Sequence, residues 1–442
     1  MAQVHPFRAY RYNPAKVDFA RALTQPYDKI TPEMQDRYYA SDPRNLIVVE
    51  KGREFPGDSP RDNVYTRAAA SLQAWLADGV LVQDSLAGFY AYFQEYSVPG
   101  AAQVRRRAGF IGLGTLEDYE AGVILRHERT HAGPKADRLE LLRSTRVNTG
   151  QLFMLYADPQ KRIDTLLREA SSASPAITAL RDEFGVSHSL WPVTAPERIT
   201  EIQRVMKGQN LVIADGHHRY ETALNYRNEQ RARAGGAQPD APYERAMMAF
   251  FNAQAEGLTI LPTHRLVSDL HATAQQCFET LRTGLAPYFD LRSLSLDEFR
   301  SQFAVDRSGS TRTIAFYAGH AASGASAYHL FTVKPGVDFE GILPGISPLQ
   351  RELDVVLLHT FILEKILRIS PEAAVRQVAY VREMREAIAA VDCGAAQLAF
   401  ILNPVSVEHV MRIAQAREVM PQKSTDFYPK LLSGITIYRL DS

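Results

Sequence analysis

The chain predicts an α/β protein of mixed α+β character. Strand-like and helix-like segments alternate along its 442 residues, a pattern that favours a layered α/β fold over a bundle or sandwich. Leu211-Val212-Ile213 is continuously apolar and mostly β-branched, as a buried parallel strand should be. That run ends at Asp215-Gly216 and restarts as a helix near His217, with Gly216 permitting the sharp turn between them.

The elements follow in order. Thr31 reads as an N-cap with Pro32 at the first helical position. Residues 62–78 form an amphipathic helix with Val64, Ala68, Leu72, Trp75 and Leu76 on one face and Gly79 as its stop. Strands are expected at 89–96 and 108–113, a helix at 138–146, a strand at 151–156, and a helix at 197–206 leading into the strand before Asp215. The Gly-, Ala- and Pro-rich stretch 232–242 reads as a loop, followed by strands at 246–251 and 258–261. Between about 270 and 370 lie a helix, strands at 313–317 and 328–333 joined by a small-residue loop, and an apolar helix at 354–367. Helix 382–390, strand 397–402, helix 407–414 and a last strand at 435–438 complete the chain. This divides it into an N-terminal α/β segment (1–107), a core carrying the Asp215 turn (108–265), a further α/β domain (266–405), and a closing helix, polar loop and strand (406–442).

Composition narrows the function. Fifty Lys plus Arg balance fifty Asp plus Glu, which disfavours nucleic acid as a partner, since that affinity rests on a basic surface. Cys277 and Cys393 stand far apart and in no metal-type spacing, as suits a reducing compartment. The N-terminus lacks an apolar signal core and no stretch reaches membrane-spanning length, so a cytoplasmic protein is expected.

Chemistry concentrates at the Asp215 turn. The first N–H groups of a helix lack intrahelical partners and sit at its positive end, so they form an anion site. Arg219 adds a planar cation suited to phosphate, His217 and His218 can donate hydrogen bonds or shuttle protons, and Asp215 could hold magnesium beside the phosphates. A solvated polar helix start is the plain alternative, and the density of five such residues from Asp215 to Arg219 weighs against it.

Three other segments qualify. His127-Glu128-Arg129-Thr130-His131 satisfies a zinc-protease spacing, but strand-like residues precede it and Gly133-Pro134 follows, so the continuous helix that spacing needs is missing. As a polar loop, it offers Glu128 as a general base and Arg129, Lys135 and Arg138 as phosphate ligands, with Asp137 as a helix cap in the structural alternative. Pro26-Tyr27-Asp28 places a carboxylate at a loop end. Lys423-Ser424-Thr425 lacks the glycines of a Walker motif, yet with Lys430 it could contact phosphate, or form a surface loop anchored by Phe427 and Tyr428. Pro262-Thr263-His264-Arg265 is a weaker polar cluster.

Gly216-His217-His218-Arg219 resembles the Gly-x-x-Arg box of the ParB/sulfiredoxin superfamily, which binds nucleotide phosphates at a strand-to-helix turn, and is most similar to the box of free-serine kinases. With Pro26-Tyr27-Asp28, the 127–130 and 135–138 segments, 213–220, 262–265 and 420–425, the whole chain resembles a prokaryotic family of unknown function often labelled SpoOJ/ParA/ParB/RepB-like. Asp426 departs from that family's pattern, which carries an aromatic residue there. The resemblance implies a ParB/sulfiredoxin-like core in 108–265 and phosphoryl transfer from ATP or pyrophosphate to a small hydroxyl-bearing metabolite, serine among them. Arg219 and the helix start would hold the donor, Asp215 magnesium, His217 or His218 would neutralise charge, and Glu128 rather than Asp28 would take the hydroxyl proton. Tyr27, Asp28, His264 and Arg265 would lie on the substrate side. The reverse reaction, a phosphoserine-type phosphatase, would use the same groups. A ParB-like nucleotide-binding regulator or DNA-binding protein is the competing class; it requires a basic face, and Glu221 and Glu229 interrupt the arginines of 217–234. The partners implied are a small-molecule substrate and a phosphate donor, with no membrane and with room for a homo-oligomer.

Overall fold

A computed structural model describes residues 1–99, 103–128, 133–303, 312–319 and 328–441, with the side chains of 133–135 left aside. It is a mixed α/β structure built on two sheets. In the larger, the strand order is Ile124–Leu125, Leu211–Asp215, Leu152–Tyr156, Arg245–Asn252, Val104–Thr115, Phe89–Ser97, Ser187–Val193 and Thr178–Arg181, with Val4–His5 added along the far end of Val104–Thr115. The strands are nearly continuous in apolar residues because both faces are covered. Phe89, Phe110, Met154, Ile213 and Phe250 pack on one side with the helices Arg162–Ala173 and Pro196–Met206, while Tyr92, Ile111, Phe153, Val212 and Phe251 pack on the other.

Leu211–Asp215 pairs parallel with Ile124–Leu125 but antiparallel with Leu152–Tyr156, so the parallel setting its composition suggests holds on one side only. The register slips between Ile213 and Asp215, and this irregularity sets Asp215 at the sheet's edge where the turn begins. The helix His217–Ala234 follows directly and closes on Gly235 in the left-handed region.

The smaller sheet is antiparallel, ordered Phe289–Leu294, Tyr328–Val333, Thr313–Tyr317, Leu398–Ile401, His264–Val267 and Val378–Val381. The chain then returns to the first sheet region, where Phe427–Tyr428 pairs with Thr259–Ile260 and Tyr438–Arg439 with Val147–Asn148. Thus the loop between Met420 and Lys430 lies beside the Asp215 turn.

Several expectations need correction. The helix expected from 138 begins at Gly133, so Asp137 sits inside it, accepting the Tyr65 hydroxyl at 3.0 Å rather than capping it. The apolar helix 354–367 runs as Asp354–Val356 and then as the π-helix Leu357–Ile366. The final strand is limited to Tyr438–Arg439; Ile435 and Ile437 are buried as expected of a strand, but only Ile437 bridges, to Tyr10. The helix Arg162–Ala173 and the hairpin Thr178–Arg181 to Ser187–Val193 went unforeseen. No helix of the described residues is long and apolar enough to cross a membrane.

Candidate functional site

Gly216 is the N-cap of its helix, at φ +96° and ψ 25°, and no side chain caps the end. The first helical bond runs from Tyr220 N–H to Gly216 C=O at 2.9 Å, so the amides of His217, His218 and Arg219 make up the electropositive first turn. A Cβ on Gly216 would lie 3.0 Å from Arg219 Nη2 and 3.1 Å from Leu152 Cδ2. Gly216→Ala is therefore expected to cost at least about 1–2 kcal/mol from the left-handed backbone alone. It should also displace Arg219; denaturant unfolding reads the first effect and anion binding the second, and an unchanged midpoint would refute the strain.

Charge gathers beside this turn. Among the described residues both ion pairs of Asp215 fall on Oδ2, from Lys430 at 3.4 Å and Arg219 at 3.9 Å. Lys430 also reaches Asp426 at 3.1 Å, and Asp426 further pairs with Lys29 at 3.8 Å and with Arg382. Burial favours the neutral acid at Asp215, yet Lys430, Arg219 and Lys29 outweigh it and hold the carboxyl well below the usual range. Asp426 is likewise low, with Lys430, Lys29 and Arg382 overcoming its burial. Burial works against the Lys430 ammonium, but the two carboxylates push it above the usual lysine value. Asp426 is the hub of this network.

The loop that carries Lys430 has little regular structure and is fixed from the sheet instead. Arg107, buried between the Phe153 and Phe251 rings at 4.7 and 4.9 Å, donates to Tyr428 C=O at 3.2 Å and Pro429 C=O at 2.6 Å. Gln94 donates to Lys430 C=O at 2.9 Å. Arg107 is lowered to about 10 by burial, and its guanidinium is satisfied by those two carbonyls together with Gln94 Oε1, which accepts from Nε at 3.1 Å and from Nη2.

The 127–128 segment faces the same place. Met420 N–H donates to His127 C=O at 2.8 Å, His127 Nε2 lies 3.0 Å from Thr425 Oγ1, and Lys423 N–H donates to Glu128 Oε1 at 3.1 Å. Burial pushes the partly buried Glu128 carboxyl up, aided by Asp215 and opposed by the Lys423 amide and the Lys423 and Lys430 charges. The His127 and His217 rings meet edge to face at 4.8 Å. Burial lowers His127 to about 4 and holds His217 well below the usual histidine value, the latter also through His127, and among the described residues Nε2 of His217 is buried without a hydrogen-bond partner. Burial thus favours the neutral imidazole at His217, which can exchange a proton or a hydrogen bond.

Arg219 also points to a second space. Its Nη1 donates to Gln151 C=O at 2.7 Å, and with Thr222 and Ala223 it lines a cavity of about 80 Å³ also bounded by Tyr27, Glu50, Arg138 and Thr149. Glu50 is 3% exposed and accepts hydroxyls from Thr149 at 2.5 Å and Ser433 at 3.1 Å. Arg138 stacks on Tyr27 at 4.4 Å and donates to Glu50 C=O at 2.7 Å. Glu50 is the residue that sequence reasoning missed. Its signal was available: a carboxylate ending the apolar run Leu46-Ile47-Val48-Val49, as Asp215 ends its own.

The remaining candidates scatter. Asp28 lies near enough to act electrostatically on Tyr27, Lys29 and Lys430. Ser424 turns inward to Pro421 C=O at 2.5 Å, and Lys423 is exposed. Thr222 donates to His218 C=O at 2.8 Å. Arg265 is buried against His359 at 3.1 Å and Lys423 C=O at 3.1 Å, while His264 lines a different cavity. Arg129 and His131 lie outside the described residues, as does the Lys135 side chain. Among the described residues no three His, Cys, Asp or Glu side chains gather as a metal site.

The model of a family described as "Protein of unknown function (DUF1015)" matches residues 4–356. No curated protein matches the chain. Among solved structures, a conserved hypothetical protein from Pyrococcus furiosus is 13% identical at a TM-score of 0.35, covering 72% of this chain and 93% of that one. A free serine kinase in complex with AMP is 12% identical at 0.35, over 72% of this chain and 89% of that one. SbnI with a C-terminal truncation, from Staphylococcus aureus, is 8% identical at 0.35, over 75% and 87%. At that level of similarity they assign no role to any residue here.

Proposed function

The chain belongs to the DUF1015 family, whose function is unknown, and we propose that it transfers a phosphoryl group between ATP or pyrophosphate and the hydroxyl of a small metabolite. The observation that supports this reading is the uncapped helix start at Gly216 with Arg219 and Lys430 beside it and an acid of raised pKa, Glu128, held nearby. Among the described residues, in direct ion pairs, four cations (Lys29, Arg219, Arg382, Lys430) meet two carboxylates (Asp215, Asp426), an excess that an incoming phosphate offsets.

In this reading the donor's phosphates rest on the first-turn amides and Arg219, and Lys430 steadies the charge that develops on the transferred group. Glu128, shifted toward working pH, accepts the hydroxyl proton. The acceptor, serine or a similar small alcohol, would be held with its hydroxyl within hydrogen-bond reach of Glu128. Because Asp215 receives both its ion pairs on Oδ2, Oδ1 is the oxygen it could lend to a magnesium ion brought in by the phosphates. When bound, that ion would neutralise phosphate charge. The same groups would serve the reverse reaction.

The test is phosphorus NMR of the protein with ATP or pyrophosphate, magnesium and a panel of hydroxyl compounds that includes serine. A phosphorylated product is expected, and neither product nor phosphate release across the panel would overturn the reading. Arg219→Ala removes a charged, bidentate-capable donor and is expected to weaken donor binding by about 10- to 100-fold, measured by calorimetry.

A further inference from the structure

A second cavity, of about 430 Å³, opens between the two sheets, with His264, Arg300, Arg382 and Arg385 on its walls. We propose that it binds a small phosphorylated molecule with an apolar body, as a second anion site separate from the Gly216 turn. Three observations on different elements converge there. The nine-residue helix Met384–Asp392 starts at the cavity, and its N-cap, Glu383, makes no side-chain capping bond, so its first amides are open to an anion. His264 is 2% exposed, and its Nδ1 accepts the Leu402 N–H at 3.3 Å, which places its proton on Nε2. Among the described residues no hydrogen bond engages that Nε2–H, so the donor edge of a buried side chain lines the cavity without a carbonyl or carboxylate to receive it. Among the described residues Arg382 Nη2 is also buried without a hydrogen-bond partner, while Nε of that side chain pairs with Asp426.

The walls decide the class of ligand. Three arginines face one acid, Glu383, so an anion is favoured, and planar guanidinium groups suit phosphate. Pro262, Phe303 and Ile388 supply an apolar floor that inorganic phosphate would leave uncovered. Burial and the Arg265 charge lower His264 to about 3, so it meets the ligand as a neutral donor throughout the physiological range.

Occupancy would reach the first site. Arg382 pairs with Asp426, and Asp426 shares Lys430 with Asp215. A phosphate that draws Arg382 away leaves Asp426 to compete harder for Lys430, loosening its hold on Asp215, and the coupling is reciprocal. This last step rests on the function proposed above, whereas the binding site does not.

Calorimetry with AMP, and with inorganic phosphate as a second arm, tests it. The wild-type chain is expected to bind two AMP molecules. Arg300→Ala/Arg385→Ala, at exposed positions, should weaken one event at least tenfold, and Arg219→Ala should weaken the other. Phosphate should bind the cavity at least tenfold more weakly than AMP. Two undiminished events in the Arg300/Arg385 variant, a single wild-type event lost in Arg219→Ala, or no binding of either probe would each overturn the proposal. If the Arg300/Arg385 variant loses one event while Arg219→Ala keeps both, the second site stands and the phosphate site at Gly216 falls.

Discussion

Exchanging Glu128 for glutamine is expected to lower turnover by about 10²–10⁴-fold, the usual contribution of a positioned general base, while donor affinity stays within a few-fold of wild type. The amide keeps an oxygen for the Lys423 N–H and loses only the capacity to take a proton. Burial raises the Glu128 carboxyl above its ordinary 4.5, so in the wild type kcat/KM should climb with pH through an inflection above 4.5 and then level. Stability moves the other way. A carboxyl whose pKa is higher in the fold than in the unfolded chain stabilises the protein below pH 4.5, and that contribution is lost as pH rises through the folded value. At pH 7 the glutamine variant should therefore be at least as stable as the wild type, since it no longer holds a charge in a partly buried place. Turnover within tenfold of wild type would remove Glu128 from the reaction. A variant that is both inactive and destabilised would make it a structural residue.

The strand, the turn and the helix at Leu211–Ala234 were legible because each rests on local chemistry: an apolar run, one glycine with positive φ, and a periodic helix. Thr31 as a cap was legible for the same reason, and its hydroxyl does accept the Met34 N–H at 3.2 Å. The meeting of 127–128 with 420–425 and of both with Asp215 was not. It depends on Arg107, some 320 residues from the loop it holds, and on bonds between backbone groups that any sequence would offer. Burial hid the state of His217, because a histidine at a helix start reads as solvated until the His127 ring is placed against it. Glu50 was passed over because one carboxylate in a short apolar helix has no motif around it; its neighbours Thr149 and Ser433 come from distant segments.

Replacing Lys430 by methionine is expected to destabilise the fold by about 3–5 kcal/mol, the range for removing one partner of a buried ion pair. Its side chain is 9% exposed and that of Asp426 7%, so solvent cannot take over the charge that Lys430 neutralises. Methionine retains the length and most of the packing of the lysine stem, which leaves charge as the main loss. The pH dependence separates the two effects. Asp215 and Asp426 are both held below the ordinary 3.8, so their paired forms add stability above pH 3.8 that is lost as pH falls through their lower folded values. Without Lys430 the same carboxylates take up protons more readily, and the wild type loses its advantage once they are protonated. The gap between wild type and Lys430→Met, read from urea unfolding, should be widest at neutral pH and narrow below pH 3.8. Adding Asp426→Asn to Lys430→Met should recover part of the loss, because it removes one of the two carboxylates deprived of Lys430, while the other keeps Arg219. A gap that stays constant down to pH 3 would mean that Lys430 matters for its packing, and the electrostatic account of this site would fail with it.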